Sequence, residues 1–98
     1  MKRNTIKTLV SYAHQVEVTF NKVNGEERVM ICTSNPGMIP EEHQPKGGQD
    51  VVVEADGVKR VFDLEANGWR SFKIDSVSKL VIMTDKGEVV EVFEKFED

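Results

Sequence analysis

From Val16 onward, apolar residues recur at every second position: Val16, Val18 and Phe20 alternate with Glu17 and Thr19. That period lays one face of a strand against a core and leaves the other toward solvent. Asn24-Gly25 follows, a pair that supplies the positive φ angles of a two-residue hairpin turn. Pairing about that turn sets Phe20 opposite Val29, Val18 opposite Ile31 and Val16 opposite Thr33. The apolar partners then share one face, as a register must arrange wherever that face is buried.

Upstream the spacing is helical. Ile6, Leu9, Val10 and Ala13 follow Asn4 or Thr5, either of which can cap, so the pattern predicts a short helix over 4–14. Downstream, Asp56-Gly57 predicts a second hairpin joining 51–55 to 58–64. Ala66-Asn67-Gly68 leads into Trp69-Arg70-Ser71-Phe72 through a loop of either two or four residues. Residues 74–77 fit a tight or 3₁₀ turn, and 79–83 resume as strand. Asp85-Lys86-Gly87 fits a three-residue loop with glycine in the left-handed position, setting Ile82 opposite Val90 and Leu80 opposite Val92. Residues 93–98 continue as strand or turn helical. Between the first two hairpins, residues 34–50 hold Pro36-Gly37, Ile39-Pro40 and Pro45-Lys46-Gly47-Gly48 and read as a long irregular loop. A connection of that length is uncommon without a function, which makes it the first place to look for a partner surface.

Composition supports strands. The 98 residues contain fifteen Val and five Ile against three Leu and three Ala. Branching at Cβ suits a pleated surface, whereas Leu and Ala favour helices. One domain is expected over 1–98. Short strands joined by Gly-containing turns imply a sandwich or small barrel, and closure would remove edges that valine and isoleucine make prone to aggregation.

Charge alters the picture at the C-terminus. Of the net −4, the whole excess lies in 85–98, which carries six acidic and two basic side chains. An acidic tail over 94–98 repels phosphates unless it points away from a nucleic-acid face. The single cysteine, Cys32, forms no internal disulfide and predicts a reducing, cytoplasmic setting. It alternates with Arg28 and Met30 and reads as a half-buried, inert thiol. No apolar run approaches the ~20 residues of a membrane span, and Met1-Lys2-Arg3 is followed by no signal-type apolar region.

Catalytic signatures are missing: there is no G-x-S-x-G, no phosphate-cradling glycine loop and no H-E-x-x-H. His14, His43 and Cys32 lie too far apart to suggest a metal. The sequence therefore predicts a binding protein without cofactor or metal, not an enzyme. The candidate binding residues are Arg28, Arg60, Trp69, Arg70 and Lys73, in a basic stretch that also holds Lys59 and Phe72. Aromatic rings stack on bases and guanidinium groups clamp phosphates or carboxylates, which would make a nucleic-acid or anionic-ligand face. The structural alternative places Trp69 and Phe72 in the core or at the barrel rim and pairs Arg70 with Glu65 or Asp63.

Three segments together resemble a known family: FNKVNGEERVMICT over 20–33, the following loop with Ile39-Pro40, and VFDLEANGWRSFKIDSV over 61–77. They are similar to small proteins of tailed, T4-like bacteriophages described as Sm-like or SH3-like β-barrels related to the WYL domain. The match spans roughly 16–83, and its GWRSF-x-x-DSV string is the most specific part. The resemblance implies a mainly β fold, an SH3/Sm-like barrel of five to six antiparallel strands with a short N-terminal helix. WYL domains elsewhere resemble ligand- or nucleic-acid-sensing modules in regulators, but no helix-turn-helix accompanies this one. Two functions follow as expectations. The first is a phage accessory or regulatory protein that binds a host or phage protein in the host cytoplasm; the alternative is a single-stranded nucleic-acid binder. Self-association is compatible with both, and no membrane is involved.

Overall fold

The computed structural model describes residues 1–44 and 56–98. A 3₁₀ turn, Arg3–Thr5, leads into helix α1, Ile6–Tyr12. Six strands follow: β1 Gln15–Asn21, β2 Glu27–Thr33, β3 Val58–Asp63, β4 Gly68–Lys73, β5 Val77–Met83 and β6 Val89–Phe93. They form one antiparallel sheet in the order β4-β3-β2-β1-β5-β6. The expected mainly β architecture with a short N-terminal helix is present. The helix is shorter than 4–14, and neither Asn4 nor Thr5 caps it with a side chain; Thr5 Oγ1 donates back to the Lys2 carbonyl at 2.7 Å.

The sheet curls until its two halves touch. Val16, Val18 and Phe20 of β1 share an interior with Met30 and Cys32 of β2, Val61 of β3, Phe72 of β4 and Leu80 of β5. Ile6 and Val10 of α1 plug one side of this core. Closure by backbone pairing is not reached among the described residues: β4 and β6 are edges.

The first hairpin departs from its expected register. Lys22 donates its N–H to the Glu26 carbonyl and Gly25 donates to Lys22, so the loop holds three residues, Val23-Asn24-Gly25, with Gly25 at φ +88°. One extra loop residue shifts every pair: Val16 faces Cys32, Val18 faces Met30 and Phe20 faces Arg28. Because side chains alternate, the slip moves Val29 and Ile31 off the core face. Val29 is exposed and Ile31 half-buried, while Met30 and Cys32 take the interior. Cys32 is thus fully buried rather than half-buried.

A similar slip corrects the last hairpin. Asp85-Lys86-Gly87 forms the expected three-residue loop, with Gly87 at φ +82°. A bulge then intervenes: Met83 pairs with Val89 but Ile82 with Glu91 and Leu80 with Phe93. Val90 is left as the extra residue, and Val92 lies opposite Val81 on the outer face. The remaining expectations resolve simply. The turn before β4 has four residues, since Asp63 pairs with Gly68, and Asn67 takes φ +54°. Ile74–Ser76 is a 3₁₀ turn. Gly57 turns with φ +76°, but the strand expected over 51–55 lies outside the described residues.

The connection after β2 is not a loose loop where it is described. Pro36–Met38 and Glu41–His43 are 3₁₀ turns that pack on the outer face of β3 and β4. The Asn35 carboxamide caps the first turn by accepting from Gly37 N–H at 2.9 Å. Ile39 is buried, His43 lies 5.4 Å from the Phe62 ring, and Trp69 Nε1 donates to the His43 carbonyl at 2.8 Å. Residues 34–44 thus cover Phe62 on one side, while Pro36, Gly37, Glu41 and Glu42 stay exposed on the other; 45–50 lie outside the described residues.

The C-terminal segment is tied down as well. Met1 and Glu97 exchange backbone contacts with Lys95 and Arg3, forming a short parallel bridge between the two ends. Phe96 packs against the core, so 94–98 is a docked strap whose acidic side chains Glu94, Glu97 and Asp98 stay exposed.

Candidate functional site

Asp63 organises one mouth of the barrel. It ends β3 on the interior face and is almost wholly buried. Its Oδ1 accepts the N–H groups of Glu65 and Ala66, both at 3.0 Å, which shapes the four-residue turn into β4. Its Oδ2 lies 3.5 Å from Arg28 of β2 and 3.5 Å from Arg70 of β4. One carboxylate therefore draws together two cations from the strands on either side of β3. The side chains of Arg28 and Arg70 are 33% and 50% exposed, against 3% for Asp63. The guanidinium groups thus stand at the surface while their anchor is buried.

A depression of about 350 Å³ lies beside this pair. Phe20 and Met30 supply an apolar wall, Lys22, Arg28 and Arg70 a charged rim, and Trp69 and Ser71 the remaining side. Of the five candidate binding residues, Arg28, Trp69 and Arg70 meet here. Lys73 lines a neighbouring groove of about 620 Å³, shared with Phe20, Val23, Val58 and Phe72. Arg60 stands over the Trp69 ring with its guanidinium carbon 4.4 Å from the centroid. The indole also meets Phe62 edge-on at 5.6 Å. One face of Trp69 and its N–H are therefore engaged within the protein, and Arg70 pairs with Asp63, one of the two partners the structural alternative named.

Sequence reasoning missed Lys22 and the role of Asp63 for Arg28. Lys22 sits at the base of the first hairpin beside Phe20, and its place on the rim depends on the three-residue loop. Arg28 joins the core-facing row with Met30 and Cys32, an alternation readable once the register is known.

Cys32 lies close to the same charges. Burial pushes its thiol from an ordinary 9.0 up to about 12; Asp63 adds to the rise and Lys59 opposes it. Such a thiol stays protonated and unreactive at neutral pH. Among the described residues no group of His, Cys, Asp or Glu side chains is placed to hold a metal ion. No helix there is long and apolar enough to cross a membrane.

A second surface lies at the far edge. Val89, Val90 and Val92 of β6 are 62%, 63% and 45% exposed. Among the described residues, β6 has no strand on its outer side. The bulge at Val90 interrupts the alternation, so the adjacent Val89 and Val90 are both exposed.

No curated protein and no solved structure matches the chain significantly. Residues 4–77, from the N-terminal helix through the 3₁₀ turn after β4, match the family described as WYL_2, Sm-like SH3 beta-barrel fold. That span holds α1, the first four strands, the Asp63 mouth and GWRSF-x-x-DSV, and it covers most of the chain. The curled antiparallel sheet agrees with that description, and the chain belongs to the WYL_2 family of Sm-like SH3 β-barrels.

Proposed function

We propose that this chain is a small non-enzymatic accessory protein that binds another protein through the edge formed by β6. The observation that carries this reading is the exposure of Val89, Val90 and Val92 on β6, which among the described residues has a strand partner on one side only. Soluble proteins blunt their edges with charge or proline, or cover them, because a free row of backbone donors and acceptors templates pairing. Here three apolar side chains stand on the edge instead, which suits a partner that covers them. Glu88, Glu91 and Glu94 flank the valines, so the complementary surface is apolar with a basic rim. The resemblance of the 61–77 segment to tailed-phage proteins supplies the setting: a regulatory protein acting on a host or phage protein in the host cytoplasm.

The test is capture of the partner by immobilised protein, repeated with a Val90→Lys/Val92→Lys double variant. The expected result is loss of capture with an unchanged circular-dichroism spectrum, together with hydrogen-exchange protection of 89–93 when the partner binds. Capture that survives the double variant, or protection confined to other strands, overturns the reading. The alternative, single-stranded nucleic-acid binding in the region of Arg60, Trp69 and Arg70, is weaker because Arg60 already occupies one stacking face of the indole.

A further inference from the structure

We infer that His14 and Asn35 form a pH-sensitive latch, which holds residues 35–44 over Phe62 and Trp69 and lets go when His14 takes up a second ring proton. The Asn35 carboxamide is committed at both ends. Its oxygen accepts the Gly37 N–H at 2.9 Å, and its nitrogen lies 3.1 Å from Nδ1 of His14. A carboxamide nitrogen has only protons to give, so Nδ1 must be the bare, accepting nitrogen of a neutral imidazole. Protonation puts a second donor where the bond needs an acceptor. Turning the carboxamide over does not repair this, because its nitrogen would then meet the Gly37 N–H. One of the two bonds is lost either way.

The loss falls on the joint that carries the cover. Thr33 Oγ1 donates to the His14 carbonyl and accepts the Asn35 N–H, which ties the start of β1 to the end of β2 at this point. Asn35 also opens the 3₁₀ turn Pro36–Met38, its carbonyl accepting the Met38 N–H at 3.0 Å. Pro36 has no N–H, so Gly37 carries the first donor that needs a cap. Gln44 Nε2 donates to the carbonyls of Pro36 at 2.8 Å and Ile39 at 2.9 Å, fastening the far end of the cover to the same turn. That far end sets the His43 ring against Phe62 and the His43 carbonyl on the Trp69 indole N–H. Loosening the first turn therefore uncovers Phe62 and frees one edge of Trp69. The latch is intact at neutral pH and above and weakens as pH falls through the histidine range.

The strand register sets His14 beside Ser34 on one side and Thr84 on the other. Titratable groups on these neighbouring elements are Tyr12 of α1, Glu17 of β1, and Asp85 and Lys86 after β5; the cover itself carries Glu41, Glu42 and His43. Among the described residues none of these makes an ion pair with His14, whereas His43 lies 3.8 Å from Glu42. Acid strengthens that second pair, so the two histidines act in opposite directions. β6 is the opposite edge strand, and the latch acts independently of the proposed protein-binding edge.

The experiment is hydrogen exchange of the full chain, read by NMR at about pH 7.5 and about pH 5.5, on either side of the usual histidine titration, with rates corrected for the intrinsic effect of pH. Opening at the amides of Gly37, Met38 and Ile39 and at the Trp69 indole N–H should be about fivefold greater at the lower pH, the size expected for one hydrogen bond. The amides of Val18 and Leu80 in the core strands should not change. His14→Asn keeps an acceptor oxygen near the place of Nδ1 that acid does not protonate, and it should hold the cover closed at both pH values. His14→Ala should leave it open at both. His43→Gln should keep the response. His14 is exposed, so neither substitution there threatens folding. Equal opening of the parent at the two pH values, a response that survives in His14→Asn, or one abolished in His43→Gln would overturn the proposal.

Discussion

Phe20 of β1 and Phe72 of β4 stack with ring centroids 5.8 Å apart and planes inclined by 28°, although β2 and β3 lie between their strands in the sheet. A flat sheet keeps such strands about 14 Å apart, at roughly 4.8 Å for each of the three spacings. The contact thus measures how far the sheet has curled, and it closes the interior where backbone pairing does not.

Removing either ring should open the barrel at this seam. Phe72→Ala is expected to cost about 3–5 kcal/mol, since the ring is almost fully buried. Phe20→Ala should cost a similar amount. The double variant should lose less than the sum, by roughly 0.5–1.5 kcal/mol, because the two rings share one contact. Urea denaturation of the four proteins in a double-mutant cycle measures this. Strict additivity would show that the rings do not couple.

Asp63 has two separable duties, and two substitutions distinguish them. Asp63→Asn keeps an oxygen for the N–H groups of Glu65 and Ala66 but loses the charge facing Arg28 and Arg70. Asp63→Ala loses both. Because the arginines are partly exposed and regain water, the ionic part should be modest, about 1 kcal/mol. The alanine variant should cost about 2–4 kcal/mol, with the rest coming from unmet backbone donors. Chemical denaturation checks the totals, and faster amide exchange at 65–66 in the alanine variant alone checks the division.

What could be read from the sequence divides along physical lines. Period-two alternation found the strands β1, β2 and β5 and the turn glycines Gly25, Gly57 and Gly87, because those signals are local. Register was not local. Whether Asn24-Gly25 makes a two- or three-residue loop depends on one hydrogen bond, Lys22 to Glu26, yet it decides whether Val29 or Met30 lies inside. The bulge at Val90 is equally silent in the sequence. For the candidate site, the residue types were legible but their convergence was not. Arg28 and Arg70 are forty-two positions apart and meet only because β2 and β4 flank Asp63. Residues 36–43 carried two prolines and a glycine, which mark turns but not the docking of Ile39 and His43 over Phe62 and Trp69.

Cys32 predicts a pH signature. Its thiol stays neutral in the folded protein up to about 12, whereas the unfolded chain ionises it near 9.0. The folded value is raised, so the contribution is intact below pH 9 and is lost as pH climbs from 9 toward 12. The slope approaches about 1.4 kcal/mol per pH unit across that window. The informative quantity is the difference between the parent and Cys32→Ala, which cancels the contribution of every other group. Thermal midpoints of the two should converge above pH 9. A constant gap between them would show that the thiol is not protected as the fold implies.

The two chain ends meet through Arg3, which leads to a prediction about charge. Its guanidinium donates to the carbonyls of Ile74 and Val77 at 3.0 and 2.9 Å, and its carbon lies 5.2 Å from the Phe96 ring centroid. The facing carboxylate, Asp98, is 3.6 Å away but almost wholly exposed, so water and salt screen that pair. The carbonyls and the ring, not the acid, should therefore hold the strap. Arg3→Ala removes the shared donor from two carbonyls where the 3₁₀ turn enters β5, at an expected cost of about 2 kcal/mol. Arg3→Lys should recover less than half of this, because an ammonium lacks the flat guanidinium plane that lies on the Phe96 ring while Nη1 reaches both carbonyls. Asp98→Asn should leave stability unchanged. Hydrogen exchange should show 1–3 and 95–97 opening together in Arg3→Ala, since Arg3 N–H, Met1 carbonyl and Glu97 form one bridged unit. If Asp98→Asn instead releases the strap, and moderate salt does the same, then the tail is held by its acidity and the assignment to Arg3 fails.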